Sequence, residues 1–202
     1  MLEGTAANFV PLDATILETM KLVPITASDY GVEIDLAYAR PDNFTGRPVY
    51  RRAACYLHED AAVLLGRAVE LAASMDLKLK IFDAFRPTEA QWALWNHTPD
   101  SNFLADPKRG SPHSRGVAVD VTLIDHAGDE LDMGTDFDDF SLLSHHGAAR
   151  ISAEAQGNRM ILLGIMTAAG WDYYRNEWWH YQMFDAKRYP LVGDSELSES
   201  MM

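Results

Sequence analysis

The sequence predicts an α+β fold: a single domain with a central, largely antiparallel sheet flanked by helices. Three observations predict it. Stretches with helical spacing and stretches with strict alternation both occur, but without the regular strand–helix–strand rhythm of a parallel sheet. The C-terminal third carries two aromatic, β-prone runs split only by a short turn, the signature of antiparallel neighbours. The chain has 202 residues, 48% of them hydrophobic, which suits one core.

Taken in order, residues 1 to about 25 form an N-terminal extension without a recognisable pattern, and everything up to residue 58 is irregular. Turn signals at Ser28–Gly31 and Asp42–Gly46 flank VEIDLAYA, a short alternating run read as a strand. From Glu59 to Met75, Leu64, Ala68, Leu71 and Met75 recur at helical spacing. LKLKIFDAF then alternates and ends as a strand near Asp83. A second helix follows, with Pro87 suited to its start and Thr88 and Gln91 spaced as a capping box. Thr98–Pro112 is a long loop rich in Pro, Gly, Asp and Ser, and long loops tend to carry function. VAVDVTL is a strand. A third helix spans Ser152 to Ala169, capped by Gly170, and WDYYRNEWWHYQMF supplies two strands around Arg175-Asn176. The polar end, about 194–202, is expected to fray.

Composition excludes several functions. Thirty acidic against 17 basic side chains give a net charge of −13, which repels phosphate backbones and anionic lipid, so nucleic acid and membranes are not expected partners. Apolar runs such as Met160–Met166 fall far short of the roughly 20 residues that span a bilayer. The single cysteine, Cys55, rules out an internal disulfide framework. With no basic n-region ahead of an apolar stretch, the expected location is cytoplasmic.

The chemistry concentrates in two segments. In SPHSRGVAVD, Gly116 permits a turn between His113 and a strand on which Val117, Val119 and Val121 share one face, leaving Ala118 and Asp120 on the other. The loop can therefore fold His113 back beside Asp120. In EWWHY, Glu177 follows the Arg175-Asn176 turn and can curl out of the strand towards His180. Two imidazoles and a carboxylate, with a free carboxylate nearby, match a zinc hydrolase: three ligands, an open position for water of pKa near ~7, and a general base. Arg86 in DAFRP is the candidate cation for the oxyanion, although composition alone favours an ion pair with Asp83. Of His145 and His146, at most one can be a ligand, because adjacent side chains diverge. Trp178 and Trp179 read as core and pocket wall.

The sequence resembles the D-alanyl-D-alanine dipeptidases of the vancomycin-resistance type, within the zinc D,D-peptidases that share a fold with the hedgehog signalling domain. The matching stretches are AYARPDNFTG, IFDAFRPTEAQ, SPHSRGVAVDVTL, DMGTDFDDF, LSHH, NRMILLGIMTAAGW and NEWWHY, spread from about residue 30 to 190. The pairing of SxHxxGxAxD with a distant ExxH carries the resemblance. It implies a hedgehog/D,D-peptidase-like fold and one Zn2+ per subunit held by His113, Asp120 and His180. It also implies Glu177 as general base, Arg86 as transition-state stabiliser, and Tyr38, Ser111 and Asp138 as binders of the dipeptide's amino terminus. The reaction implied is hydrolysis of D-alanyl-D-alanine to two D-alanine, for glycopeptide resistance or for D-alanine recovery. Asp138 has a blander reading, since the acidic stretch Asp125–Asp139 also suits a solvated hairpin. Rival readings are a peptidoglycan carboxypeptidase, a zinc-holding binding module and a structural protein. Oligomeric state is not legible.

Overall fold

The computed structural model describes residues 21–202, so most of the N-terminal extension, residues 1–20, lies outside the described residues. The remainder of that extension belongs to the fold. Strand β1 (Leu22–Pro24) pairs antiparallel with β3 (Tyr56–His58) in a two-stranded sheet. Between them stand the single-turn helix α1 (Ala27–Tyr30), closed by Gly31, the short strand β2 (Glu33–Ile34) and a 3-10 turn at Ala37–Ala39. The alternating run VEIDLAYA thus gives two strand residues, and the rest turns to bury Ala37 and Tyr38.

The main sheet has five strands in the order β2-β4-β5-β7-β6, with β4 at Lys78–Asp83, β5 at Ala118–Ile124, β6 at Asp172–Tyr173 and β7 at His180–Gln182. Among the described residues, only β2 and β4 run parallel. This is the α+β, largely antiparallel sheet that the sequence predicts. Helix α2 (Glu59–Ala73) and helix α4 (Ala153–Ala169) pack against each other and against the sheet. The α2 stripe Ala61, Leu65, Ala68 and Ala72 is buried, and its alanines allow close approach.

Register sets the chemistry of the two sheet faces. Leu79 stands opposite Leu123 and Ile81 opposite Val121, giving an apolar face, while Lys80 stands opposite Thr122 and Asp83 opposite Asp120. The register shifts between Ile81 and Asp83, and such an irregularity re-aims the side chain beyond it, here Asp83. On the other edge of β5, Asp120 lies directly across from His180. All seven residues of β5 are buried, so these polar groups sit deep in the protein.

Helix ends mostly follow the sequence. Ser152 caps α4 by accepting the Ala155 N–H at 2.9 Å, and Gly170 closes it in a left-handed conformation, φ 107°. The expected capping box on α3 (Thr88–His97) does not form: Pro87 is the cap residue and makes no side-chain bond, while Gln91 is buried and turned inwards. Nor does the polar end fray. Asp194 accepts the N–H groups of Met201 at 2.6 Å and Met202 at 3.3 Å. Arg52 donates to the carbonyl of Ser200 at 2.9 Å, and the Met201 side chain is fully buried. One apolar side chain and an internal set of acceptors outweigh the tail's polar composition.

Gly116 offers a stability test. It sits at φ 67°, and a Cβ there would lie 2.5 Å from Leu22 Cδ2 and 3.1 Å from the His58 nitrogen. Gly116→Ala is expected to cost at least about 1–2 kcal/mol from the left-handed backbone alone. The loss should appear as a lower urea midpoint with an unchanged m-value, and an unchanged midpoint would refute the strain argument.

Candidate active site

His113 lies in a 3-10 turn, Pro112 before it and Gly116 after it. Its Nδ1 is 2.7 Å from the Ala84 carbonyl, which can only accept, so Nδ1 carries the proton and Nε2 keeps its lone pair. His180 has the complementary arrangement. Its Nε2 faces Gln182 Oε1 at 3.1 Å, which assigns the proton there and leaves Nδ1 as the lone-pair atom. The two lone-pair nitrogens stand 3.1 Å apart, and Asp120 Oδ1 is 3.3 Å from His113 Nε2 and 3.0 Å from His180 Nδ1. Three buried acceptors therefore converge with no proton between them. Such a group is suited to a metal ion, the carbonyl and amide partners behind each ring fixing the tautomers that ligation requires.

Glu177 follows the turn as expected. Its N–H donates to the Tyr174 carbonyl at 3.2 Å, and its Oε2 reaches within 3.8 Å of His180 Nδ1. Burial, reinforced by the charges of Asp120 and Asp138, pushes its carboxyl well above the ordinary range, against the pull of Arg86. A carboxylate so placed is an avid proton acceptor.

Arg86 combines the ion pair considered for it with a place on the cavity wall. Nε donates to Asp83 Oδ2 at 2.8 Å, so the ion pair exists, while another nitrogen lies 3.6 Å from Asp120 Oδ2 and the side chain lines the cavity. Asp83 is itself held by the Tyr50 hydroxyl at 2.8 Å. Gln91 accepts from Arg86 at 3.0 Å and donates to the Ala105 carbonyl at 2.8 Å. That is why the capping box fails: a buried guanidinium needs the amide oxygen more than an exposed helix end does.

The three residues expected at the substrate's amino terminus line the same cavity, which has a volume of about 200 Å³. The Tyr38 hydroxyl donates to Asp138 at 3.0 Å, and Ser111 Oγ accepts the His113 N–H at 3.2 Å. Enclosure, then the negative charge of Asp120, pushes the Asp138 carboxyl up to about 8, against Arg86 and the Tyr38 hydroxyl. The acidic stretch thus divides. Asp125 closes a tight turn, with Ile124 bridged to Glu130, whereas Asp138 faces the cavity.

Trp179 is pocket wall and Trp178 is core, the rings edge to face. His145 and His146 stand outside the converging group. Sequence reasoning missed Gln91, Gln182 and Tyr174, the last two also lining the cavity. Gln182 had a usable signal, since it lies two residues beyond His180 on one strand and shares its face. Among the described residues, no helix is long and apolar enough to cross a membrane.

The family model described as Peptidase_M15, D-ala-D-ala dipeptidase, matches residues 18–195. A D-alanyl-D-alanine dipeptidase of Escherichia coli (strain K12) is 41% identical over 177 residues, covering 88% of this chain and 92% of the relative. Proteins of the same name from Enterococcus faecium and Enterococcus faecalis are 35% and 36% identical, each covering 77% of this chain and 88% of the relative. The chain therefore belongs to the Peptidase_M15 family of D-Ala-D-Ala dipeptidases.

Proposed function

We propose that this enzyme hydrolyses the free dipeptide D-alanyl-D-alanine to two D-alanine, with one zinc ion held by His113, Asp120 and His180. The observation that carries the reading is the convergence of those three acceptors with Glu177, Arg86 and Asp138 on one small cavity. Tetrahedral zinc with nitrogen ligands at about 2.0–2.1 Å sets its donor atoms about 3.3 Å apart, and the observed spacings of 3.0–3.3 Å fit that edge. When bound, zinc supplies Lewis acidity that brings a water towards pKa ~7.

The protein's own groups do the rest. Glu177, whose Oε2 lies 3.8 Å from His180 Nδ1, takes the water's proton during attack and returns it to the departing amine. Arg86, fixed by Asp83 and Gln91, presents its remaining face to the cavity, where negative charge develops on the carbonyl oxygen. Asp138, oriented by Tyr38, pairs the substrate's ammonium, with Ser111 beside it. The cavity of about 200 Å³ is smaller than the roughly 300–1,000 Å³ of sites for drug-sized ligands, as a dipeptide requires. A cytoplasmic setting agrees with a lone, free and buried Cys55.

The decisive experiment compares free and N-acetylated D-alanyl-D-alanine. Acetylation removes the charge and leaves the Asp138 carboxylate without its partner, so kcat/KM is expected to fall by about 10⁴-fold, the scale for a site whose buried polar group is left unpaired. Asp138→Asn should raise KM for the free dipeptide by about tenfold or more. Equal turnover of the two substrates would overturn this reading in favour of a carboxypeptidase.

A further inference from the structure

Arg159 lies on the buried stripe of α4, between Ala155 and Leu162, where an apolar residue would be expected. It is 5% exposed, and among the described residues no carboxylate comes within salt-bridge distance of it. Its donors go instead to one segment of the chain. Nε donates to the Met133 carbonyl at 2.6 Å, one terminal nitrogen to the carbonyls of Leu143 at 2.8 Å and His145 at 3.2 Å, and the other to Thr135 Oγ1 at 3.3 Å. A buried cation satisfied by carbonyls rather than by a counter-charge holds backbone in place, and a planar fork is the side chain able to hold several at once.

The segment it gathers has Asp138 at its middle. Met133 and Thr135 precede that residue, and Leu143 and His145 follow it. Apart from a 3-10 turn at Leu142–Ser144, no regular element stiffens the stretch. Asp138 also sits at φ 60°, a left-handed conformation that aspartate tolerates in turns and that sets where its side chain points. Its contact with Tyr38 orients the carboxylate but not the backbone.

We propose that Arg159 is a positioning residue for substrate recognition: it ties both ends of the 133–145 segment together and so holds Asp138 where the dipeptide's ammonium arrives. This rests on the reading that Asp138 binds that ammonium. Arg159 also lies 5.7 Å from the Trp178 ring, next to Glu177. The Glu177 turn, however, keeps one backbone tie outside that segment, Glu177 N–H to Tyr174, while Trp178 N–H reaches Ser144 within it. Glu177 keeps that tie when the fork is lost, whereas among the described residues Asp138 has no backbone tie of its own, so removal of the fork acts on binding before chemistry.

The test is a double-mutant cycle on the full-length, zinc-loaded enzyme with D-alanyl-D-alanine as substrate. Arg159→Lys keeps the charge but cannot span three carbonyls. It is expected to raise KM by about tenfold while kcat stays within about threefold and zinc remains at one per chain. Asp138→Asn should raise KM similarly, and the double variant should be no worse than Asp138→Asn alone. A merely structural role would lower the yield of folded enzyme without moving KM. An unchanged KM, a loss confined to kcat, or effects that multiply in the double variant would overturn the proposal. If Arg159→Lys does not fold, Thr135→Val removes one of the four acceptors, and a KM rise of about threefold that disappears in the Asp138→Asn background is expected. An unchanged KM in Thr135→Val would again overturn the proposal. Should Asp138→Asn itself leave KM unchanged, the ammonium reading falls and this proposal with it. Should Asp138→Asn raise KM while the other variants do not, Arg159 alone loses its role.

Discussion

Glu177→Gln is expected to leave the fold and the bound metal in place while lowering kcat by about 10²–10⁴-fold, the range that general base catalysis supplies. The amide matches the carboxylate in shape and cannot take a proton. Glu177 is not one of the three converging acceptors, and its nearest oxygen lies 3.8 Å from His180 Nδ1, so zinc content should be unchanged. Replacing a buried carboxylate whose burial pushes its proton affinity up should, if anything, stabilise the folded chain. Measurement pairs single-turnover kinetics with elemental analysis and a thermal melt. Near wild-type turnover in a fully metal-loaded sample would remove Glu177 as the base.

Chelation should abolish turnover altogether, and zinc should restore it. The effect on stability follows from the same geometry. His113, Asp120 and His180 present three acceptors to one another at 3.0–3.3 Å, and a cation that binds only the folded arrangement stabilises it by mass action. At a free concentration 100 times Kd that amounts to about 2.7 kcal/mol, or roughly 5–10 °C in Tm for a chain of this size. Activity that survives chelation in a sample shown to be metal-free would defeat the metal-dependent reading. A Tm that does not respond to zinc would place the ion elsewhere.

Much of the scaffold was legible because its signals are local. Helices α2 and α4 announce themselves by apolar spacing and by the Ser152 and Gly170 caps, and β4 and β5 by alternation. Strands β1 and β3 have three residues each, too few for a period to register, and exist because they pair with one another. Thr88 and Gln91 misled for a related reason. A capping box is worth a fraction of what a buried guanidinium loses without its acceptor, so the distant demand of Arg86 won. The tail misled because polar composition says nothing about a single methionine that finds a pocket.

The candidate site divides along the same line. Residue types and local turns were enough to nominate His113, Asp120, Glu177 and His180, since each needs only its own strand or turn to be presented on the correct face. What the amino-acid order could not determine is the company these groups keep. His113 meets a ring 67 positions away, Tyr38 meets a carboxylate 100 positions away, and Arg159 reaches back across two dozen residues to the segment around Asp138. Periodicity encodes which face a side chain takes. Strand register, the irregularity before Asp83 and the closure of irregular loops decide which faces meet, and those are properties of long-range packing, where free energy depends on all partners at once.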